Sequence, residues 1–145
     1  MFNQDSNPQV LDKRHVRRMK LTQALFALEF AEGEYQALSD EESGLSTRKE
    51  AKAIYAMRQI LDDKIKQYAT ERPLAEINKI DLAILRIIVF ESEHKKTPKK
   101  VLIDEAVELA KEFGSENSPK FVNGVLGKLL LGSNESEKNR KKDNE

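Results

Sequence analysis

From Ile80 to Phe90 every residue except Asp81 and Arg86 is apolar. A helix that is apolar around its whole circumference must be surrounded by other elements, and this stretch is far too short to span a bilayer. The rest of the chain supplies the surroundings. Apolar residues recur at helical spacing in long segments on either side, while sustained period-two alternation of β-branched residues is missing. The expected fold class is therefore all-α, a single domain with residues 80–90 at its centre.

The first partner helix is predicted over about residues 12–32, ending near Gly33. At 100° per residue, Leu21, Leu25 and Leu28 fall on one side, and Met19, Phe26 and Phe30 nearly opposite. Toward the amino terminus the leucine sector is taken by Arg14, Arg17 and Arg18, which cannot be buried as leucine can. The first two turns are thus expected to project beyond the core. After an acidic connection over residues 39–44, Thr47 and Glu50 have capping-box spacing for a helix reaching about residue 70. Ala51, Ile54, Tyr55, Arg58, Leu61, Ile65 and Tyr68 trace its inward stripe, and Pro73 ends it. A short turn follows over residues 74–77, and Asn78 caps the central helix.

Thr97-Pro98 opens the next helix, with Val101, Ile103, Ala106, Val107, Ala110 and Phe113 facing inward until Gly114. The last runs from Pro119 to about Leu131, behind a Ser118 cap. Residues 1–11 and 133–145 have too little to bury and are read as disordered. Residues 12–132 form the domain, as an amino-terminal bundle over about 12–72 and a carboxy-terminal one over about 73–132.

Twenty-five lysines and arginines balance twenty-five aspartates and glutamates, so any attraction to a polyanion has to be local. The chain has no cysteine and no apolar signal region near Met1, so a cytoplasmic location is expected. Neither of the two histidines, His15 and His94, has a partner at metal-ligand spacing. No phosphate loop, nucleophile elbow or dinucleotide fingerprint occurs, and Asp62-Asp63 and Asp104-Glu105 with Glu108 read as solvated faces. No catalytic residue, metal or cofactor is expected.

Two surfaces do carry chemistry. Lys13, Arg14, Arg17, Arg18 and Lys20 put five cations into eight residues at a helix start, where they oppose the macrodipole. In the last helix Lys120 adds charge, Asn123 offers hydrogen bonds to a base edge, and Phe121 is either a stacking platform for an unpaired base or core. Val122, Val125, Leu126 and Leu129 already make a packing face, so a partly exposed Phe121 ring is expected. Gly124 costs about 1 kcal/mol inside a helix relative to alanine, pointing to a backbone or a ligand passing close by.

The segments Ala83-Ile84-Leu85-Arg86-Ile87, Thr97-Pro98-Lys99-Lys100-Val101-Leu102-Ile103-Asp104-Glu105-Ala106-Val107-Glu108-Leu109-Ala110-Lys111, Phe113-Gly114 and Lys120-Phe121-Val122-Asn123-Gly124-Val125-Leu126 closely resemble the NusB family of transcription antitermination factors. The resemblance is strong over residues 79–130 and is supported earlier by the basic helix start followed by Gln23-Ala24-Leu25-Phe26. It implies two small helical bundles packed side by side. It also implies binding of single-stranded boxA-type RNA jointly with the ribosomal protein NusE, within an RNA polymerase antitermination complex with other Nus factors that acts notably in rRNA operons. Carried over by position, it assigns RNA contacts to Arg14, Arg17, Arg18 and Gln23, and to Asn117, Lys120, Phe121 and Asn123. Phe26 and Asp81 would face the ribosomal-protein partner, with Arg86 nearby. His15 and Val16 interrupt the basic run, and Asn117 stands where relatives often carry Asp.

Two other functions are consistent with parts of this pattern. One is a helical protein-interaction module without RNA binding. The other is the NusB-like domain of an rRNA cytosine methyltransferase, against which stands the polar tail after Leu131, where a cofactor-binding domain would be expected to follow.

Overall fold

The computed structural model describes residues 12–30 and 40–132, with side chains for 12–30 and 46–132. The predicted disorder of residues 1–11 and 133–145, and the first helix stop near Gly33, lie outside them. Among the described residues there are six α-helices and no strand: α1 (Lys13–Phe30), α2 (Asp40–Ala56), α3 (Arg58–Tyr68), α4 (Lys79–His94), α5 (Lys99–Phe113) and α6 (Ser118–Leu126). A 3₁₀ turn at Leu74–Glu76 precedes α4, and a π turn at Gly127–Gly132 extends α6.

The apolar run is the centre, as expected. All of residues 81–89 are buried, and α4 packs against α1, α2, α3, α5 and α6. The Asn78 side chain accepts the Ile80 N–H at 2.8 Å, fixing where α4 begins. On α1, Leu21, Leu25 and Leu28 are buried. On its other side Phe30 is 65% exposed and meets the Phe26 ring edge-on at 4.8 Å.

The predicted second helix is two helices. Residues 40–44 belong to α2 rather than to a connection, so Thr47 lies in a helix interior and caps nothing. The chain then turns at Met57 (φ −91°, ψ 8°), whose N–H is shared between the carbonyls of Ala53 and Ile54. That turn redirects α3 so that Leu61 and Ile65 bury as completely as Ala51 and Ile54. Arg58 starts the new helix on its outside, with its guanidinium 4.2 Å over the Tyr55 ring and donating to the Tyr55 carbonyl. It does not lie along the core stripe.

On α5 the inward face is centred on Leu102, Ala106 and Leu109, with Ile103 and Ala110 beside them. Val101 is 44% exposed, contrary to expectation, because the stripe at i, i+3, i+4 that begins at Leu102 has no room for it. No described backbone passes close to Gly124; the close backbone approach is at Gly114. A Cβ at Gly114 would sit 2.5 Å from the Ser118 side chain and 2.8 Å from the Ala110 carbonyl, whereas one at Gly124 would have no described atom within 4 Å. Only glycine lets α6 fold back this tightly on α5. Ser118 is buried at the first position of α6, and its Oγ accepts the Ser115 N–H at 2.9 Å. It therefore ties down the preceding turn, and the cap position falls to Asn117, whose side chain caps nothing.

Candidate nucleic-acid interface

A hollow of about 480 Å³ opens between the end of α3, the turn after it, and α6. It gathers the four carboxy-terminal residues singled out from the sequence: Asn117, Lys120, Phe121 and Asn123. Pro119 starts α6 in a register that turns Asn117, Lys120, Asn123 and Gly124 outward, while Val122, Val125 and Leu126 hold the helix to the core. Gly124 leaves the wall open where a side chain would narrow it.

Phe121 corrects an expectation. It is only 7% exposed, because the stripe it shares with Val125, four residues on, faces the protein. Above its ring, at 4.4 Å from the centroid, lies the guanidinium of Arg72, which also lines the hollow. Sequence reasoning missed Arg72, as it did Tyr68 and Lys128 in the same lining. The only signal at Arg72 was its place before Pro73, which read as a helix end.

The α1 start also differs from its predicted form. Arg18 is 3% exposed and makes a two-pronged pair with Glu91 of α4, from Nε at 3.1 Å and from Nη2 at 2.7 Å. Arg17 reaches Glu50 at 2.5 Å and Glu91 at 3.1 Å, and Thr97 donates to Glu91 at 2.9 Å. Burial alone would push the Glu91 carboxyl up, but the Arg18 and Thr97 hydrogen bonds and the two arginine charges hold it below the usual range. The first turns of α1 therefore dock on α4 and α5 rather than projecting beyond them. The cations left facing outward are Lys13 and Arg14, with half-buried Lys20. Lys13, Val16, Arg17, Lys20 and Thr47 line a shallow basic depression. Gln23 is exposed three residues beyond Lys20.

His15 completes this docking. Its two ring nitrogens each lie 2.8 Å from a carboxylate, Nδ1 from Glu105 and Nε2 from Glu112. Burial opposes the charged ring, yet the two hydrogen bonds and carboxylate charges outweigh it and raise the His15 pKa. A raised folded-state pKa means stability that is full below the unfolded value of about 6.5 and lost as pH rises through the folded value. Denaturant titrations between pH 6 and pH 9 should show this loss in the native chain and not in His15→Gln. Parallel pH profiles would mean that the imidazole is not charged in the fold.

Of the three residues assigned to a protein partner, two are interior. Arg86 is 4% exposed, bonded to both oxygens of Asp62 at 2.8 and 2.7 Å and to Glu29 at 3.0 Å. Asp81 is 1% exposed, and its Oδ1 has no hydrogen-bond partner. Burial pushes the Asp81 carboxyl up, more than the Ser118 hydroxyl and the Arg72 charge lower it. Both side chains are buried in the folded chain, Arg86 among its carboxylate partners and Asp81 beside Ser118. Phe26, with exposed Phe30 beside it, does reach the surface. No described helix is long and apolar enough to cross a membrane.

Residues 9–130 match the model of the NusB family. The transcription antitermination protein NusB of Chloroflexus aggregans is 39% identical over 130 residues, covering 81% of this chain and 87% of that protein. That of Campylobacter concisus is 35% identical, covering 80% and 95%. A shorter match to the protein of the same name from a Roseiflexus strain is 51% identical over 73 residues, about half of each chain. The solved structure of T. maritima NusB superimposes with a TM-score of 0.69 at 31% identity, covering 81% of this chain and 90% of that one. Matched by the family model over most of its length, by relatives along nearly their whole extent and by the same helical fold, the chain belongs to the NusB family of transcription antitermination proteins.

Proposed function

We propose that this protein acts in antitermination by binding a single-stranded boxA-type RNA jointly with ribosomal protein NusE, in an RNA polymerase complex with other Nus factors. The observation that carries the reading is the hollow on α6. It sets a cation (Lys120), two amides (Asn117 and Asn123) and a guanidinium lying over an aromatic ring around a space with room for an unpaired base. Single-stranded RNA is read by this combination of phosphate charge, base-edge hydrogen bonds and stacking. Lys13, Arg14 and Lys20 add phosphate contacts that carry no sequence information. Arg17 and Arg18, engaged with Glu91, act by holding that helix start in place. The Phe26–Phe30 pair suits the protein partner, being an aromatic patch that reaches the surface at the end of α1.

The test is titration of labelled boxA-type RNA with and without NusE. Lys120→Ala and Arg14→Ala should each weaken binding and reduce its salt slope by about 0.7, the value for one single-strand phosphate contact. Melting temperatures should stay near the native value, since both side chains are exposed. An unaltered salt slope in both variants would remove these residues from the RNA path. NusE binding without any RNA binding would favour the protein-interaction module, for which the exposed Phe30 ring is the supporting observation.

A further inference from the structure

We propose that Arg72 is the base-stacking platform of this hollow: its guanidinium plane, backed by the Phe121 ring, presents the flat face on which an unpaired nucleobase stacks. The inference rests on the reading of the hollow as an RNA site and names the group that meets the base. A base stacking on Phe121 itself would need an open ring face. That ring is 7% exposed, and the Arg72 guanidinium lies 4.4 Å over its centroid. The plane on offer to a ligand in the hollow is therefore the guanidinium, which is half-buried and part of the lining. A guanidinium is planar, delocalised and weakly hydrated, so it stacks on an aromatic ring on one side and on a base on the other.

The local chain fixes it there. Arg72 precedes Pro73, whose backbone (φ −60°, ψ 149°) leads into the 3₁₀ turn before α4, so the residue sits on a short constrained connection rather than a free loop. The Arg72 charge also favours the ionised form of the nearby buried Asp81 carboxyl. Asn123 and Lys120 lie in the same lining, placed to read the edge of the stacked base and to meet its phosphate.

The experiment measures binding of labelled single-stranded boxA-type RNA to Arg72→Ala, Arg72→Lys and Arg72→Phe, each checked for folding by its melting temperature. Lys120→Ala and Asn123→Ala report on the hollow itself. Stacking on a guanidinium plane predicts a loss of about ten- to a hundredfold for Arg72→Ala. It predicts a comparable loss for Arg72→Lys, which keeps the charge without the plane, and binding within about threefold of native for Arg72→Phe, which keeps a plane without the charge. Native affinity in Arg72→Ala would make the uncovered Phe121 ring the platform and overturn the proposal. Full recovery in Arg72→Lys would reduce Arg72 to a phosphate contact, and a loss in Arg72→Phe equal to that in Arg72→Ala would point to a guanidinium hydrogen bond; either result overturns it. Unchanged binding in both Lys120→Ala and Asn123→Ala would instead sink the underlying reading that RNA occupies the hollow, and with it this assignment.

Discussion

Glu91→Ala should cost about 3–5 kcal/mol of folding stability, the loss typical of removing one partner from a buried ion pair. For a domain whose total stability is of the order of 5–15 kcal/mol, that is close to unfolding. Glu91 is the shared acceptor of Arg18, Arg17 and Thr97. Without it the Arg18 guanidinium, 3% exposed, keeps only Glu105, at 3.4 Å, among the described residues. The paired replacement Arg18→Met with Glu91→Leu should recover much of the loss, because two apolar side chains avoid the desolvation that both charges suffer. Urea titrations of the single and double variants measure the difference. If Glu91→Ala cost less than about 1 kcal/mol, Arg18 would be a solvent-facing cation and would return to the list of RNA contacts.

Phe121→Ala should cost a similar amount, about 3–5 kcal/mol, since truncating a buried aromatic removes its transfer energy and leaves a cavity. Phe121 is 7% exposed among the apolar residues of α6, and Arg72 loses the ring on which it rests. RNA binding should fall as well, so the two readouts must be taken on one sample under conditions where the variant is folded. A melting temperature within a degree or two of native would show that the ring is not core.

Much of the fold was legible because it rests on local pattern. The apolar run in α4, the Asn78 cap, the Leu21, Leu25 and Leu28 stripe and the Pro98 and Pro119 helix starts each state a backbone preference or a burial demand within a few residues. The break at Met57 was not legible, because nothing in Ala56-Met57-Arg58 disfavours a continuing helix. It arises where α2 and α3 each turn their own stripe to one core. Likewise on α5 Val101 was taken as inward and Leu102 and Leu109 were passed over, since these residues are equally apolar and only the neighbours of α5 choose between them.

The candidate site divides in the same way. Residue types and helical register singled out Lys120, Phe121 and Asn123 before any tertiary information, and the family resemblance added Asn117; all four belong to one short segment around the start of α6, which lines the hollow. The basic helix start was recognised as a run of charge, but which of its cations remain outside depends on Glu50, Glu91 and Glu105, contributed by three other helices. An ion pair between residues 18 and 91 leaves no periodic trace in the chain, and it turned Arg18 from a surface cation into part of the interior. The same holds for Arg86 with Asp62 and Glu29, and for Arg72 over Phe121. The sequence by itself determined the all-helical class, the buried central helix, the leucine stripe of α1 and the α6 side of the hollow, since these follow from preferences and spacings along the chain. The tertiary structure alone decided which charges are neutralised and which ring is covered, because long-range electrostatics and packing depend on distances that only the folded chain sets.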